Sequence, residues 1–311
     1  MARPALSLAK KILFSLGVFV VFLGVLEGAL ATLPRLWVVG RTPVLDSAQA
    51  GQTLVLCAGD SVTFGQGLRM EVSYPGQLGA RVAAAGLRNV KVFRYAEPAS
   101  DLGDVNERLL PDLARLQGDP RLIVLLMIGH NDLNNWEGRA VRGLFGSDVA
   151  GNQSTLETDP RRSRGPRLFR IALWIRNAID HDAPTLRASA EDVSTFKGRI
   201  HTLAEAVAAH RGRLVLLTYV VPGAAPSDMP SNTAQVLEQT RDNQRAINQL
   251  LRDAGAERGL DVWDLERDIV VPLTWSAAWF QDNIHWTEAT ATLVSDYLWA
   301  RLQAEGLGAG R

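Results

Sequence analysis

The sequence has little of what several classes of protein require. Its 311 residues include one cysteine, Cys57, so no disulfide can form within the chain, and its apolar surroundings predict a small buried side chain. Basic and acidic residues are equal in number, 33 each, and the zero net charge gives no general attraction for nucleic acid. A metallophosphoesterase normally needs several more histidines than the five present, and an early D-x-H motif, which is absent. We keep this class only as a remote alternative. We therefore expect no nucleic-acid partner, no metal and no cofactor.

A long hydrophobic run occurs near the N-terminus. Arg3, Lys10 and Lys11 precede it, and residues 12–33 contain a single charge, on Glu27. As a helix this segment would be about 33 Å long, which is enough to cross a bilayer. Cations on the N-terminal side favour an N-terminus in the cytoplasm, with the rest of the chain outside. The run therefore predicts an N-terminal transmembrane helix that anchors the protein in the membrane.

The same segment also fits a cleaved signal peptide, because Ala29-Leu30-Ala31 resembles a small-residue cleavage site. On either interpretation, residues 1–40 are a membrane anchor or signal segment and residues 41–311 form an exported domain. Alanine, arginine and glycine are abundant, as is typical of GC-rich bacterial sources. The expected location is the bacterial periplasm or cell surface, with secretion after cleavage as the alternative.

Apolar strand-like segments alternate with helical ones after residue 52. The predicted strands cover residues 53–58, 90–96, 121–129, 213–221 and 260–265. The predicted helices cover residues 74–86, 104–117, 195–209, 232–258 and 287–303. This alternation indicates an α/β domain with a parallel sheet and helices on both faces. The third strand is a continuous apolar run, which is typical of a strand that is buried on both faces.

One stretch interrupts this alternation, at about residues 133–194. It is too long for a plain connection between a strand and a helix, so we treat it as an insertion into the domain. Five arginines fall within ten of its positions: Arg161, Arg162, Arg164, Arg167 and Arg170. The segment is predicted to be either a solvated basic loop or a flap that meets anionic headgroups or an anionic polymer near the active site.

Polar side chains follow three of the predicted strands. Ser61 comes after the first strand, Asn131 and Asp132 after the third, and Asp282 and His285 after the fifth. Ligands of an open parallel sheet bind beyond the carboxyl ends of its strands, so these side chains are expected at one edge. A serine, a histidine, an acid and an amide are the groups that acyl transfer requires. Taken singly, Ser61 also fits a helix cap, Asn131-Asp132 a turn, and Asp282 with His285 a surface pair.

Three short motifs resemble those of a known family, the SGNH hydrolases, which are also called GDSL esterases and lipases. "GDSVTFGQG" matches the first block of that family, "GHND" the third and "DNIH" the fifth. The resemblance covers nearly everything from Thr53 to Gln303. It implies a flavodoxin-like, three-layer α/β/α sandwich with a five-stranded parallel sheet, here preceded by the predicted transmembrane helix.

The resemblance also implies a role for each matched residue. Ser61 would be the nucleophile, His285 the base and Asp282 the partner that orients the base. The Ser61 backbone N–H and the Asn131 side-chain amide would donate to the oxyanion. The neighbouring acids of these motifs, Asp60 and Asp132, are expected to tie loops together by hydrogen bonds.

The second block departs from the family pattern. Arg94 stands where the family usually has an asparagine, and Ala99 stands at the glycine whose backbone N–H is the third oxyanion donor. Ala99 keeps a backbone N–H, so the resemblance implies that it is the third donor. We expect the alanine to fit only if the backbone at this position avoids positive φ.

The function predicted from the sequence is a serine esterase. It would hydrolyse acyl esters of an envelope carbohydrate or lipid through an acyl-enzyme intermediate. One alternative is an O-acyltransferase on the same fold, and another is a non-catalytic binding protein of the envelope. The expected partners are an acyl-ester substrate and, through residues 12–33, the membrane.

Overall fold

A computed structural model describes residues 21–22, 24–25, 50–133 and 188–307 of the chain. The chain divides into two compact units. One comprises residues 1–42 and 160–181, of which only the four helical residues between 21 and 25 are described. No helix within the described residues is long and apolar enough to span a bilayer. Most of the predicted membrane segment, and the arginine-rich insertion, lie outside the described residues.

The second unit, residues 43–159 and 182–311, contains the sheet. Its strands are β1 (Thr53–Gly59), β2 (Val90–Ala96), β3 (Arg121–Met127), β4 (Arg213–Leu217) and β5 (Asp261–Trp263). All neighbouring strands pair in parallel, in the order β2-β1-β3-β4-β5. This is the flavodoxin-like order. The prediction of an α/β domain with a five-stranded parallel sheet is therefore confirmed.

Helices connect the strands. They are α1 (Ser61–Phe64), α2 (Tyr74–Ala84), α3 (Leu102–Ala114), α4 (Ala190–Ala209), α5 (Ser231–Arg258), α6 (Leu265–Asp268) and α7 (Glu288–Ala304). Helix α2 packs against α7, whereas α3 packs against α4 and α4 against α5. These two groups of helices shield the central strands, and every residue of β1 is buried. Cys57 lies fully buried in β1, and burial raises the pKa of its thiol.

Three strands end earlier than predicted. The third was predicted to residue 129, but β3 ends at Met127. The fourth predicted strand extends to residue 221, but β4 ends at Leu217. Beyond it the backbone N–H of Tyr219 donates to the side chain of Asn248, at 2.7 Å, and not to a strand. The fifth predicted strand extends to residue 265, but β5 ends at Trp263, because the Asp264 side chain caps α6 by accepting from the Arg267 N–H. Side-chain hydrogen bonds thus replace strand pairing at the sheet edge where the site forms.

Candidate active site

The turn after β1 places Ser61 at the start of a short helix. Gly59 ends the strand, and a Cβ at this position would lie 2.2 Å from the carbonyl oxygen of Met127, so only glycine fits. The Asp60 side chain then caps α1, with its Oδ1 accepting from the Val62 N–H at 2.9 Å. Ser61 is the first helical residue and is 8% exposed. The glycine and the aspartate thus hold the serine at the carboxyl edge of the sheet.

Three side chains from distant parts of the sequence form one hydrogen-bonded row. The Nε2 atom of His285 lies 2.9 Å from the Oγ atom of Ser61. The Nδ1 atom of the same ring lies 2.7 Å from Oδ2 of Asp282. The other carboxylate oxygen, Oδ1, accepts the backbone N–H groups of Ile284 at 2.8 Å and of His285 at 2.7 Å. The short turn from Asp282 to His285 therefore fixes the direction of the imidazole ring.

The hydrogen bonds of Asp282 keep it ionised. Partial burial by itself would raise the pKa of this carboxyl group. The hydrogen bonds from the His285 ring and from the two backbone N–H groups outweigh burial and lower the pKa to about 2. An anion beside Nδ1 favours the tautomer that carries its proton on Nδ1, so Nε2 is left as a hydrogen-bond acceptor for the Ser61 hydroxyl.

The imidazole ring of His285 rests against a packed apolar wall. A cavity of about 10 Å³ remains beside the ring, which is room for about one water molecule. Its other lining residues are Val62, Gly65, Gln66, Leu68, Tyr74, Trp286 and Ala291. One side of the ring therefore packs against α1, the loop that follows it and α7.

Asn131 lies in the turn after β3, beside the loop after β2. Its side-chain amide donates to the carbonyl oxygen of Ser100 at 2.9 Å, which uses one of the two N–H bonds of the amide. The next residue, Asp132, is buried and accepts the backbone N–H of Leu102 at 3.1 and 3.2 Å. Burial raises the pKa of Asp132. The two side chains tie the third motif to the loop after β2, and Asp132 has the loop-binding role expected of it.

Ala99 has a left-handed backbone conformation. Its φ angle is +60°, so the condition under which an alanine was expected to fit without strain is not met. The position has the left-handed backbone that favours glycine, and an alanine there is strained by roughly 1–2 kcal/mol. The neighbouring Ser100 holds the strained turn, because its N–H donates to Glu97 at 3.3 Å and its hydroxyl accepts from Arg108 at 2.9 Å. The family's glycine position is thus recognisable by its backbone although the residue differs.

The part of the chain that matches a protein family includes Ser61 as well as Asp282 and His285. The model of the GDSL-like lipase/acylhydrolase family matches residues 57–293. The chain belongs to this family. It is accordingly a hydrolase of ester bonds, as the sequence motifs predicted.

Solved structures of similar fold include three esterases or lipases. An acetyl xylan esterase, AlAXEase, is 14% identical with a TM-score of 0.50, and the match covers 80% of this chain and 99% of that one. A lipase/acylhydrolase from Enterococcus faecalis is 15% identical with a TM-score of 0.48, over 82% and 96% of the two chains. An aryl esterase of M. smegmatis is 14% identical with a TM-score of 0.48, over 81% and 99%. No curated protein matches the sequence.

Sequence reasoning missed three residues that support this site of the GDSL-family hydrolase. Tyr219 was placed inside a strand, but its hydroxyl donates to Asp60 Oδ2 at 2.6 Å. Arg94 donates to the carbonyl oxygen of Phe64 at 2.8 Å, and its guanidinium lies 4.1 Å from the centre of the Phe64 ring. The sequence signal for Tyr219 was a polar group in an apolar strand, and that for Arg94 was its place at the family's asparagine position.

Gln281 is the third supporting residue that the sequence did not predict in this GDSL-family hydrolase. Its Nε2 donates to the carbonyl oxygens of Gln66 at 3.1 Å and of Trp286 at 2.5 Å. Its backbone N–H donates to the carbonyl oxygen of His285 at 2.8 Å. One side chain therefore joins the loop after α1 to the turn that carries the histidine. Within residues 50–133 and 188–307, no group of three or more His, Cys, Asp or Glu side chains is placed to hold a metal ion.

Proposed function

We propose that this GDSL-family hydrolase is a serine esterase that cleaves acyl esters through an acyl-enzyme on Ser61. The observation that carries the proposal is the hydrogen-bonded row from Ser61 Oγ to His285 Nε2, at 2.9 Å, and from His285 Nδ1 to Asp282, at 2.7 Å. A serine hydroxyl is a poor nucleophile unless a base removes its proton. The row supplies that base at hydrogen-bond distance, already oriented by an anion.

In the first half of the reaction, His285 takes the proton of Ser61 on Nε2 while Oγ attacks the ester carbonyl carbon. The tetrahedral intermediate collapses to the acyl-enzyme, and His285 gives the proton to the leaving alcohol. In the second half, a water molecule loses a proton to His285 and attacks the acyl group. The acid is released, and Ser61 regains its proton. Asp282 stays ionised throughout and stabilises the protonated imidazole.

The negative oxygen of the tetrahedral intermediate needs hydrogen-bond donors. We assign this role to the backbone N–H of Ser61, the side-chain amide of Asn131 and the backbone N–H of Ala99. Supporting this assignment, Asn131 and Ala99 lie on loops that are joined through the bond from Asn131 to the Ser100 carbonyl, at 2.9 Å. The loss of one such donor typically costs about a hundred- to a thousandfold in rate.

The decisive experiment is covalent labelling of the full chain with a fluorophosphonate. Wild-type protein should label at Ser61 and hydrolyse p-nitrophenyl acetate. Ser61→Ala should lose both properties while its circular dichroism spectrum is unchanged. His285→Ala should be nearly as severe. The double variant should be scarcely worse than either single one, because the two residues act as a unit and their effects do not add.

Two results would overturn the proposal. If Ser61→Ala keeps full activity and loses only thermal stability, the serine has only a structural role at the start of α1. If wild-type protein neither labels nor hydrolyses any ester of a chain-length series, the site is not catalytic and the chain is a binding protein. An acetylated xylan should be included among the substrates, because a protein of similar fold is an acetyl xylan esterase.

We further propose that the enzyme is anchored in the membrane and acts outside the cytoplasm on acyl esters of an envelope carbohydrate or lipid. The support is the apolar run at residues 12–33 with cations on its N-terminal side. A reporter fused after Arg311 should be active only outside the cytoplasm, and the protein should stay with membranes after a high-salt wash. Release of a mature chain that begins near Thr32 would show a cleaved signal peptide instead.

A further inference from the structure

Tyr219 lies between the two loops that carry the proposed nucleophile and the proposed oxyanion amide. It follows β4 by two residues and is fully buried. Its hydroxyl donates to Oδ2 of Asp60 at 2.6 Å, and the backbone N–H of His130 lies near the same hydroxyl group. Asp60 directly precedes Ser61, and His130 directly precedes Asn131. The hydroxyl group is therefore bonded to the loop after β1 and lies near the backbone at the end of β3.

The backbone of Tyr219 is itself held from the helix layer. Asn248 of α5 accepts the Tyr219 N–H at 2.7 Å and donates to the Tyr219 carbonyl oxygen at 2.9 Å. The Asn248 side chain also donates to Glu266 at 3.0 Å, and Glu266 pairs with Arg252 at 2.6 Å. Because both backbone groups of Tyr219 are bound, and its side chain is fully buried and bonded to Asp60, its ring and hydroxyl have a fixed position.

Asp60 depends on Tyr219 for one of its two oxygens. Its carboxylate is fully buried, with Oδ1 bound to the Val62 N–H and Oδ2 bound to Tyr219. Burial raises the pKa of Asp60 to about 6, against the opposite effect of these two hydrogen bonds. Burial also raises the pKa of the Tyr219 phenol, which therefore stays protonated and donates. A charge-assisted bond of this kind is stronger than a bond between neutral groups.

We propose that Tyr219 is a positioning residue that sets the distance between the Ser61 backbone N–H and the Asn131 amide. Oxyanion donors stabilise the transition state only when they lie about 2.7–3.1 Å from the developing negative oxygen. Without the hydroxyl, Asp60 loses the partner of one carboxylate oxygen and the cap of α1 loses part of its support, beside the turn that carries Asn131. This inference rests on the proposed function, because it requires Ser61 to be the nucleophile.

Tyr219→Phe is the direct test, because it keeps the ring and removes only the hydroxyl. With the full chain and p-nitrophenyl acetate, kcat should fall about tenfold or more while KM changes little, since donors to the transition state affect kcat. The acid limb of kcat/KM should also move to higher pH. The hydrogen bond from Tyr219 lowers the pKa of Asp60, so loss of this bond raises that pKa. Asp60 then takes up a proton at a higher pH, and we assign the shift of the acid limb to this protonation.

Other groups face Asp60, and they determine what the pH profile reports. Besides Tyr219 they are Tyr74, Asp132 and His285. None of these is altered in Tyr219→Phe. A shift of the acid limb in this variant is therefore assigned to the loss of the bond between Tyr219 and Asp60.

Tyr95→Phe is a matched control. The hydroxyl of Tyr95 on β2 also donates to a carboxylate, Oδ2 of Asp112, at 2.8 Å, and Tyr95 is 9% exposed. The two substitutions remove the same atom and the same kind of bond, so both should lower the melting temperature. Only Tyr219→Phe should lower kcat and shift the acid limb.

The outcomes separate this inference from the proposed function. Wild-type kcat and pH profile in Tyr219→Phe, or an equal kcat loss in Tyr95→Phe, would show that Tyr219 has only a structural role. If Tyr219→Phe does not fold, Asp60→Asn removes the acceptor charge instead and should show the same kcat loss; unchanged kcat overturns the inference. Ser61→Ala in the same assay must be inactive, and activity there would sink the proposed function and this inference with it.

Discussion

Asn131 donates its side-chain amide to the carbonyl oxygen of Ser100 at 2.9 Å, so the turn after β3 is bonded to the loop after β2. This contact orients the amide by one N–H bond and leaves its second N–H as the proposed oxyanion donor. The amide therefore has a structural bond and a proposed catalytic bond on the same nitrogen.

Replacing Asn131 tests this dual role. Asn131→Ala should lower kcat on p-nitrophenyl acetate by about a hundred- to a thousandfold, because one oxyanion donor is lost. Ser61 should still react with a fluorophosphonate, but more slowly. Asn131→Asp, which keeps the shape and removes the donors, should be at least as severe. Near-normal kcat in Asn131→Asp would exclude the amide as a donor.

Removing the charge of Asp282 should lower activity without preventing turnover. In Asp282→Asn the ring loses the anion that orients it, and kcat should fall by roughly 10²- to 10⁴-fold. Asp253→Asn, on the exposed side of α5, should leave kcat unchanged and serves as the control. Equal kcat values in the two variants would contradict the proposed role of Asp282.

The difference in stability between the wild-type protein and Asp282→Asn should depend on pH. The pKa of Asp282, about 2, lies below its ordinary value of 3.8. Its hydrogen bonds therefore stabilise the fold above about pH 4, and this contribution is lost as the pH falls through 2. Thermal unfolding of wild type and variant should differ at pH 6 and converge towards pH 2.5. A difference that is constant between these pH values would contradict the lowered pKa.

Ala99→Gly should stabilise the protein. A glycine adopts φ near +60° without strain, and relief of the alanine's strain is worth about 1 kcal/mol. For a domain of this size, that corresponds to a rise of about 2–4 °C in melting temperature. Ala85→Gly is the control, since Ala85 has φ −76° and gains nothing from glycine. A lower melting temperature in Ala99→Gly would show that the left-handed backbone is not strained.

Gln281→Glu should lower kcat without unfolding the protein. A carboxylate cannot donate to the carbonyl oxygens of Gln66 and Trp286 and is repelled by them, so the turn that carries His285 should shift. Small displacements of a catalytic group are costly, and we expect a loss of about tenfold or more in kcat.

Gln249→Glu provides the control for that change. Gln249 also donates through its side chain, to Asp253 at 2.7 Å, but it lies on the surface of α5. It should show wild-type kcat on p-nitrophenyl acetate. A normal kcat in Gln281→Glu as well would mean that the contacts of Gln281 do not position His285.

The predictions that succeeded rest on local patterns. β1 and β3 are apolar runs with turn residues at their ends, and β1 and β2 were predicted to within one residue of their observed bounds. The predicted ends of β3, β4 and β5 were too late. Apolar residues continue past the last paired residue of β3 and of β4, whereas β5 is followed by Asp264, which caps α6. Hydrophobicity reports burial, and a buried segment need not pair as a strand.

By itself, the sequence determined the class of fold, the family and the residues that line the sheet edge. Apolar periodicity gives the elements, and short motifs with glycine, serine, asparagine and histidine mark the loops between them. Only the tertiary structure decided the left-handed backbone of Ala99, the contacts of Gln281 and the position of the Tyr219 hydroxyl between Asp60 and His130. Each depends on groups that are far apart in the chain, and no local pattern encodes the distance between atoms that meet only when the chain folds.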